Sequence, residues 1–170
     1  MSRNTILEFS RLGDGLYRVF FLGRSIYLEM YLCRKKHGSL GEEVSELGLE
    51  GAASIIPRSM VSNPSQIVQG AIHLSIYGDK LSRFRNKGLL LMMLSTGHQQ
   101  LSTLLQEAEK RFLEDEEYYL VKVYTGGGSD HAVSTMVRKP GNCRIVETPL
   151  CSEDCAGLLV KNLYALLALV

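Results

Sequence analysis

The chain has 170 residues, 45% of them hydrophobic, which suits one domain able to bury a sizeable core, whereas two halves would each be marginal. A net charge of +1 from 19 basic and 18 acidic residues excludes a general electrostatic attraction to nucleic acid or anionic lipid. No apolar run reaches the length of a membrane span, and the start MSRNTILEFS lacks the apolar core of a secretory signal.

Three apolar runs come first, Ile6 to Leu12, Leu16 to Leu22 and Ser25 to Cys33, separated by Gly13-Asp14-Gly15 and Gly23-Arg24. Their aromatic content predicts an antiparallel meander, with Gly23-Arg24 as a type II′ turn. The rival is one helix over 16–33, because Leu16, Phe20, Tyr27 and Tyr31 also fall at helical spacing. Ser39 to Leu49 then reads as a short helix with acids near its start. Gly51 to Pro64 reads as the longest loop, and Ile67 to Tyr77 fits a strand or a helix equally. In Lys80 to Leu94 a basic half precedes LLLMML, which must be buried. A helix is expected from Thr103, where Gln106 completes a capping box, to about Leu113.

The stretch from Tyr118 to Pro149 gathers the turn chemistry. A β-rich run to Tyr124 meets Gly126, Gly127 and Gly128, a second strand is expected from His131 to Val137, and Cys143 to Thr148 folds back beside it as a hairpin. Ser152-Glu153-Asp154 opens a last helix whose leucine stripe, Leu158 to Leu167, is core or a subunit interface. The fold class is therefore α+β over the single domain 1–170: an N-terminal meander, central helices, and a C-terminal three-stranded antiparallel segment with a terminal helix.

Chemistry can be sought in a thiol, an imidazole and a carboxylate, since a cysteine nucleophile needs a neighbouring imidazole and the imidazole an acceptor. His131 sits at a strand start beside the glycines, and the chain order offers Cys33 as thiol. Residues 118–167, through Asp130-His131-Ala132-Val133 and Arg144-Ile145-Val146-Glu147-Thr148-Pro149, resemble the last third of papain-like cysteine proteases, in particular the effector proteases that bacterial pathogens inject. The resemblance implies Cys33, His131 and Glu147 as the catalytic set. It departs from the family in two places: no cysteine precedes Cys33 at an early helix N-terminus, and Glu147 stands where aspartate or asparagine is usual.

Cys143, Cys151 and Cys155 complete the four cysteines, too few and too unevenly spread for a disulfide framework. Cys151 and Cys155, one helical turn apart, are read as packing thiols. No spacing supplies a four-ligand metal site, and the three glycines lead into a strand without the Lys-Ser/Thr pair of a phosphate loop, so no cofactor or metal is expected. The leading functional expectation is a non-catalytic protein-interaction or self-associating structural protein, of viral matrix type by analogy, with a protein partner or a homo-oligomer. The alternative is a papain-like hydrolase or a degenerate form of one. Contact with a membrane or RNA would run through Lys80, Arg83, Arg85 and Lys87. The expected setting is soluble, in a reducing compartment such as the cytoplasm, with export by a signal-less route left open.

Overall fold

The computed structural model describes residues 7–81, 84–124 and 139–146, and it is an α+β fold. Three strands open it: β1 (Leu7–Gly13), β2 (Leu16–Phe21) and β3 (Arg24–Arg34), paired antiparallel as the meander requires. The β2–β3 turn differs from the expected type. Its two residues are Leu22 and Gly23, both at positive φ (46° and 80°), with Phe21 opposite Arg24. Positive φ at both positions is the type I′ geometry, which suits the right-handed twist of the flanking strands.

Helix α1 (Leu40–Leu47) starts at Ser39, whose hydroxyl accepts the Glu42 amide, and stops at Gly48 in the left-handed region. The expected loop after it is a strand, β4 (Ala52–Pro57), followed by a single 3₁₀ turn at Arg58–Met60. Every residue of β4 is buried, so the strand shows none of the alternation that betrays a half-exposed one. The undecided segment is a helix, α2 (Ser65–Tyr77), entered through Pro64, with Asn63 Oδ1 accepting the Ser65 amide. Helix α3 (Lys87–Thr96) buries Leu90 to Leu94 of the LLLMML run after an Asn86 cap. Helix α4 (Leu101–Glu114) starts two residues before Thr103, with Gln100 as N-cap and no side-chain capping bond, so the Thr103–Gln106 box is not its start.

Strand β5 (Glu117–Tyr124) and the three-residue β6 (Cys143–Ile145) complete the described elements. The path of the sheet is β1-β2-β3-β5-β4, and β6 also pairs with β3. Strand β3 is the spine: Arg24 to Glu29 pair with β2, Tyr31 to Cys33 with β6, and Tyr27 to Arg34 with β5. The hairpin expected between residues 131–137 and 143–148 and the last helix lie outside the described residues.

The sheet has a core on each face. On one, Ile26, Leu28, Met30 and Leu32 of β3 with Tyr119, Val121 and Val123 of β5 pack against α2 and α3. On the other, Tyr31, Cys33, Tyr118, Leu120 and Ile55 pack with Phe112 of α4, and Leu40 and Leu47 of α1 lean on them. Helix α4 bridges the two, because Leu104 and Ala108 join the first core. No described helix is long and apolar enough to cross a membrane.

Candidate functional site

Cys33 lies near the end of β3, fully buried, opposite Cys143. Met30 N donates to Gly15 O and Arg34 N to Asn142 O, so even-numbered β3 residues turn their amides toward β2 and β6. Cys33 and Cys143 are therefore a non-hydrogen-bonded pair, the kind that brings facing side chains closest. Their Cα atoms are 4.0 Å apart and their sulfurs are joined. The bond joins two of the four cysteines, which were expected to be too few and too unevenly spread for a disulfide framework, and in this state Cys33 has no thiolate with which to attack a substrate. His131, Glu147, Arg83, Cys151 and Cys155 lie outside the described residues.

Around this disulfide the sheet face holds two buried carboxylates that the sequence reading passed over. Glu29, 1% exposed, accepts from Tyr31 Oη at 2.9 Å and Tyr124 Oη at 3.0 Å. Burial, then the Glu29 carboxylate, holds the Tyr31 phenol above its ordinary range, so it remains a neutral donor. Tyr31 also lies over Gly15, where a Cβ would come within 2.2 Å of the ring. The available signal was an acid inside the apolar run of β3, a pattern that implies burial with partners.

Glu43, 2% exposed, accepts from Tyr118 Oη at 2.8 Å, Lys36 N at 3.0 Å and His37 N at 2.8 Å. In the sequence it looked like an ordinary acid in the first turn of a helix; in the structure it ties α1 to the end of β3 and to β5. Burial, then the Glu43 bond, keeps the Tyr118 phenol above its usual range. Glu43→Ala is expected to lower stability by about 2–4 kcal/mol, because two backbone amides and a phenol lose their acceptor together. Glu43→Gln should keep most of that stability in the same urea titration, and equal losses in the two variants would show that a neutral amide cannot stand in for the carboxylate.

Two clefts flank this region. One, of about 410 Å³, is lined by Lys36, Glu43, Glu46, Tyr118, Lys139 and Asn142. The other, of about 550 Å³, opens between the Arg58–Pro64 segment and the start of β5, with Tyr119, Asp115 and Glu117 in its wall. Beside Tyr119, Glu117 is held by two guanidinium groups: Arg58 Nη1 on one oxygen and Arg144 Nη1 at 2.6 Å on the other. Asp115 makes a second tie between the same two sides by accepting from Ser59 N and Oγ at 2.8 and 2.7 Å. Both arginines are more than half exposed, leaving donors of their forks turned to solvent.

The Arg144 bond, with Arg144 and Arg58 charge behind it, holds the Glu117 carboxyl below its ordinary 4.5 against the opposing effect of burial. A depressed folded-state value contributes stability above the unfolded value that is lost as pH falls through the folded one. Glu117→Gln should accordingly flatten the acid limb of a stability-against-pH curve below about pH 4.5 and lower the plateau at neutral pH. An acid limb identical to the wild type would show that Glu117 carries no such linkage.

Among the described residues no group of three or more His, Cys, Asp or Glu side chains could hold a metal ion. In the basic stretch, Lys87 Nζ is engaged by the Gly78 carbonyl at 2.7 Å and Arg85 is exposed. Compared with protein-family models and with curated proteins, the chain matches none.

Proposed function

We propose that this chain is a non-catalytic interaction protein whose partner-contacting surface is the larger cleft. The observation that carries the reading is the charged wall of that cleft, where the half-exposed Arg58 and the acids Asp115 and Glu117 meet and Arg144 bonds Glu117 from beside it. Arginine and tyrosine are the side chains that dominate binding at protein interfaces, and a half-exposed guanidinium with spare donors is suited to a partner's carboxylate. The disulfide at Cys33 adds support, since it occupies the sulfur that the hydrolase reading needs.

A thiol-directed electrophile at neutral pH tests the reading against the papain-like alternative. The expected result is no rapid labelling of Cys33 in the native protein. Rapid labelling of Cys33 that disappears in a His131→Ala variant would establish the hydrolase instead. For self-association, sedimentation over a range of concentrations should reveal a larger species that Arg58→Glu reduces without loss of fold.

A further inference from the structure

We infer that the Cys33–Cys143 disulfide is a reversible redox clamp on the segment 139–146, and that its state decides whether the smaller cleft is formed and whether Arg144 holds Glu117 at the edge of the larger one. The basis is where the segment's residues go. Lys139, Pro140, Gly141 and Asn142, just ahead of β6, make one wall of the smaller cleft, and Arg144 within β6 supplies one of the two guanidinium groups that hold Glu117 at the larger. The covalent bond at Cys143 lies between the two.

Among the described residues its other attachments are a three-residue ladder with β3, the exchange of bonds between Arg34 and Asn142 at 3.0 and 2.5 Å, the Arg144–Glu117 pair at 2.6 Å, the bond from Tyr17 Oη to the Val146 carbonyl, and the packing of Val146 and Cys143 against the two cores. Hydrogen bonds at a short strand are largely exchanged for bonds to water when it lifts away, so they hold it only weakly. The chain between the two cysteines, 110 residues in sequence, includes the whole of β4, α2, α3, α4 and β5, which are held by their own cores. Losing the bond thus releases 139–146 and leaves the rest of the sheet assembled.

The reductant is a dithiol. Its thiolate attacks the sulfur of Cys143, a residue that retains 6% exposure where Cys33 has none, forming a mixed disulfide and expelling the Cys33 thiolate. The second thiol of the reductant then displaces Cys143. Two electrons pass to the protein, the two protons of the dithiol end on Cys33 and Cys143, and the reductant leaves as its own disulfide. A small disulfide oxidant reverses the sequence. The clamp stands independently of partner binding, because its readout is the segment itself; it bears on the proposed interaction surface only by adding or removing Arg144 beside Glu117.

The test is hydrogen exchange followed by mass spectrometry on the full chain, oxidised, reduced with dithiothreitol, and reoxidised with oxidised glutathione. Reduction should speed exchange of the 139–146 amides by about tenfold or more, at a rate that denaturant hardly changes, which is the signature of local opening. The amides of β3 and β5 should keep the steep denaturant dependence of global unfolding, and reoxidation should restore the segment. A Cys143→Ser variant should behave as the reduced protein without any reductant. Glu117, followed by NMR, should titrate closer to its ordinary value once Arg144 withdraws. Unchanged exchange at 139–146, an acceleration shared equally by the whole sheet, or a bond that dithiothreitol reduces only after unfolding would each overturn the clamp.

Discussion

Gly70→Ala is expected to destabilise the fold by about 1–3 kcal/mol or more, as overpacking of a tight core contact does. Helices α2 and α3 meet at this residue. A Cβ on Gly70 would lie 2.2 Å from Ser95 Oγ, 2.9 Å from Ser95 N and 3.0 Å from Ser95 Cα. The hydroxyl could rotate away, but the backbone of α3 cannot move without disturbing Leu91 and Leu94, both buried in the main core. Urea unfolding with an unchanged slope would register the loss as a fall in the midpoint. The matched control is Gly41→Ala in α1, where a Cβ would meet nothing within 4 Å and φ is not positive. There alanine should stabilise by about 0.5–1 kcal/mol through helix propensity. A neutral Gly70→Ala beside a stabilising Gly41→Ala would show that the two helices are not in such close contact.

A second large effect concerns global stability. Removing the Cys33–Cys143 bond by reduction and alkylation frees an unfolded chain that had been closed over 110 residues. On the chain-entropy account a loop of that order is worth about 4.7 kcal/mol, and a compact denatured state reduces the figure. Against a typical total of about 5–15 kcal/mol this is a large share. The expected result is a much lower urea midpoint for the alkylated protein at the same pH. A change of less than about 1 kcal/mol would mean that loop closure contributes little to the stability of this chain. The effect acts on the unfolded state, so it is separable from the local release of residues 139–146, which is read under native conditions.

What could be read from the sequence follows burial geometry. Strands β1 to β3 were legible because aromatic and branched residues alternate between short glycine turns; Leu22 was hidden as a turn residue because leucine rarely takes positive φ. Strand β4 was read as a loop because both of its faces are covered, and Ser54 and Pro57 within it look like breakers. Helix α2 was ambiguous for a related reason. Every residue from Ile67 to Leu74 is buried, so neither a helical nor a strand period stands out. The candidate site was less legible than the fold. The facing of Cys33 and Cys143 depends on the register of β6 against β3, which no local spacing encodes, and Glu43 resembled a routine helix-start acid because its partner Tyr118 is far away in the sequence.

The placement of β3 at the centre of the sheet shapes how the chain must fold. Its neighbours β5 and β6 come from the distant part of the sequence, so the central ladder can gain its hydrogen bonds only after very long loops have closed. The β1–β2–β3 meander and the α2–α3 hairpin, by contrast, are built from contacts between near neighbours and can form early. High contact order of this kind slows folding. Until β5 arrives, the edge of β3 that it will cover, Tyr27 to Arg34, is open to pairing by another unfinished chain, so rapid synthesis at high concentration favours aggregation there.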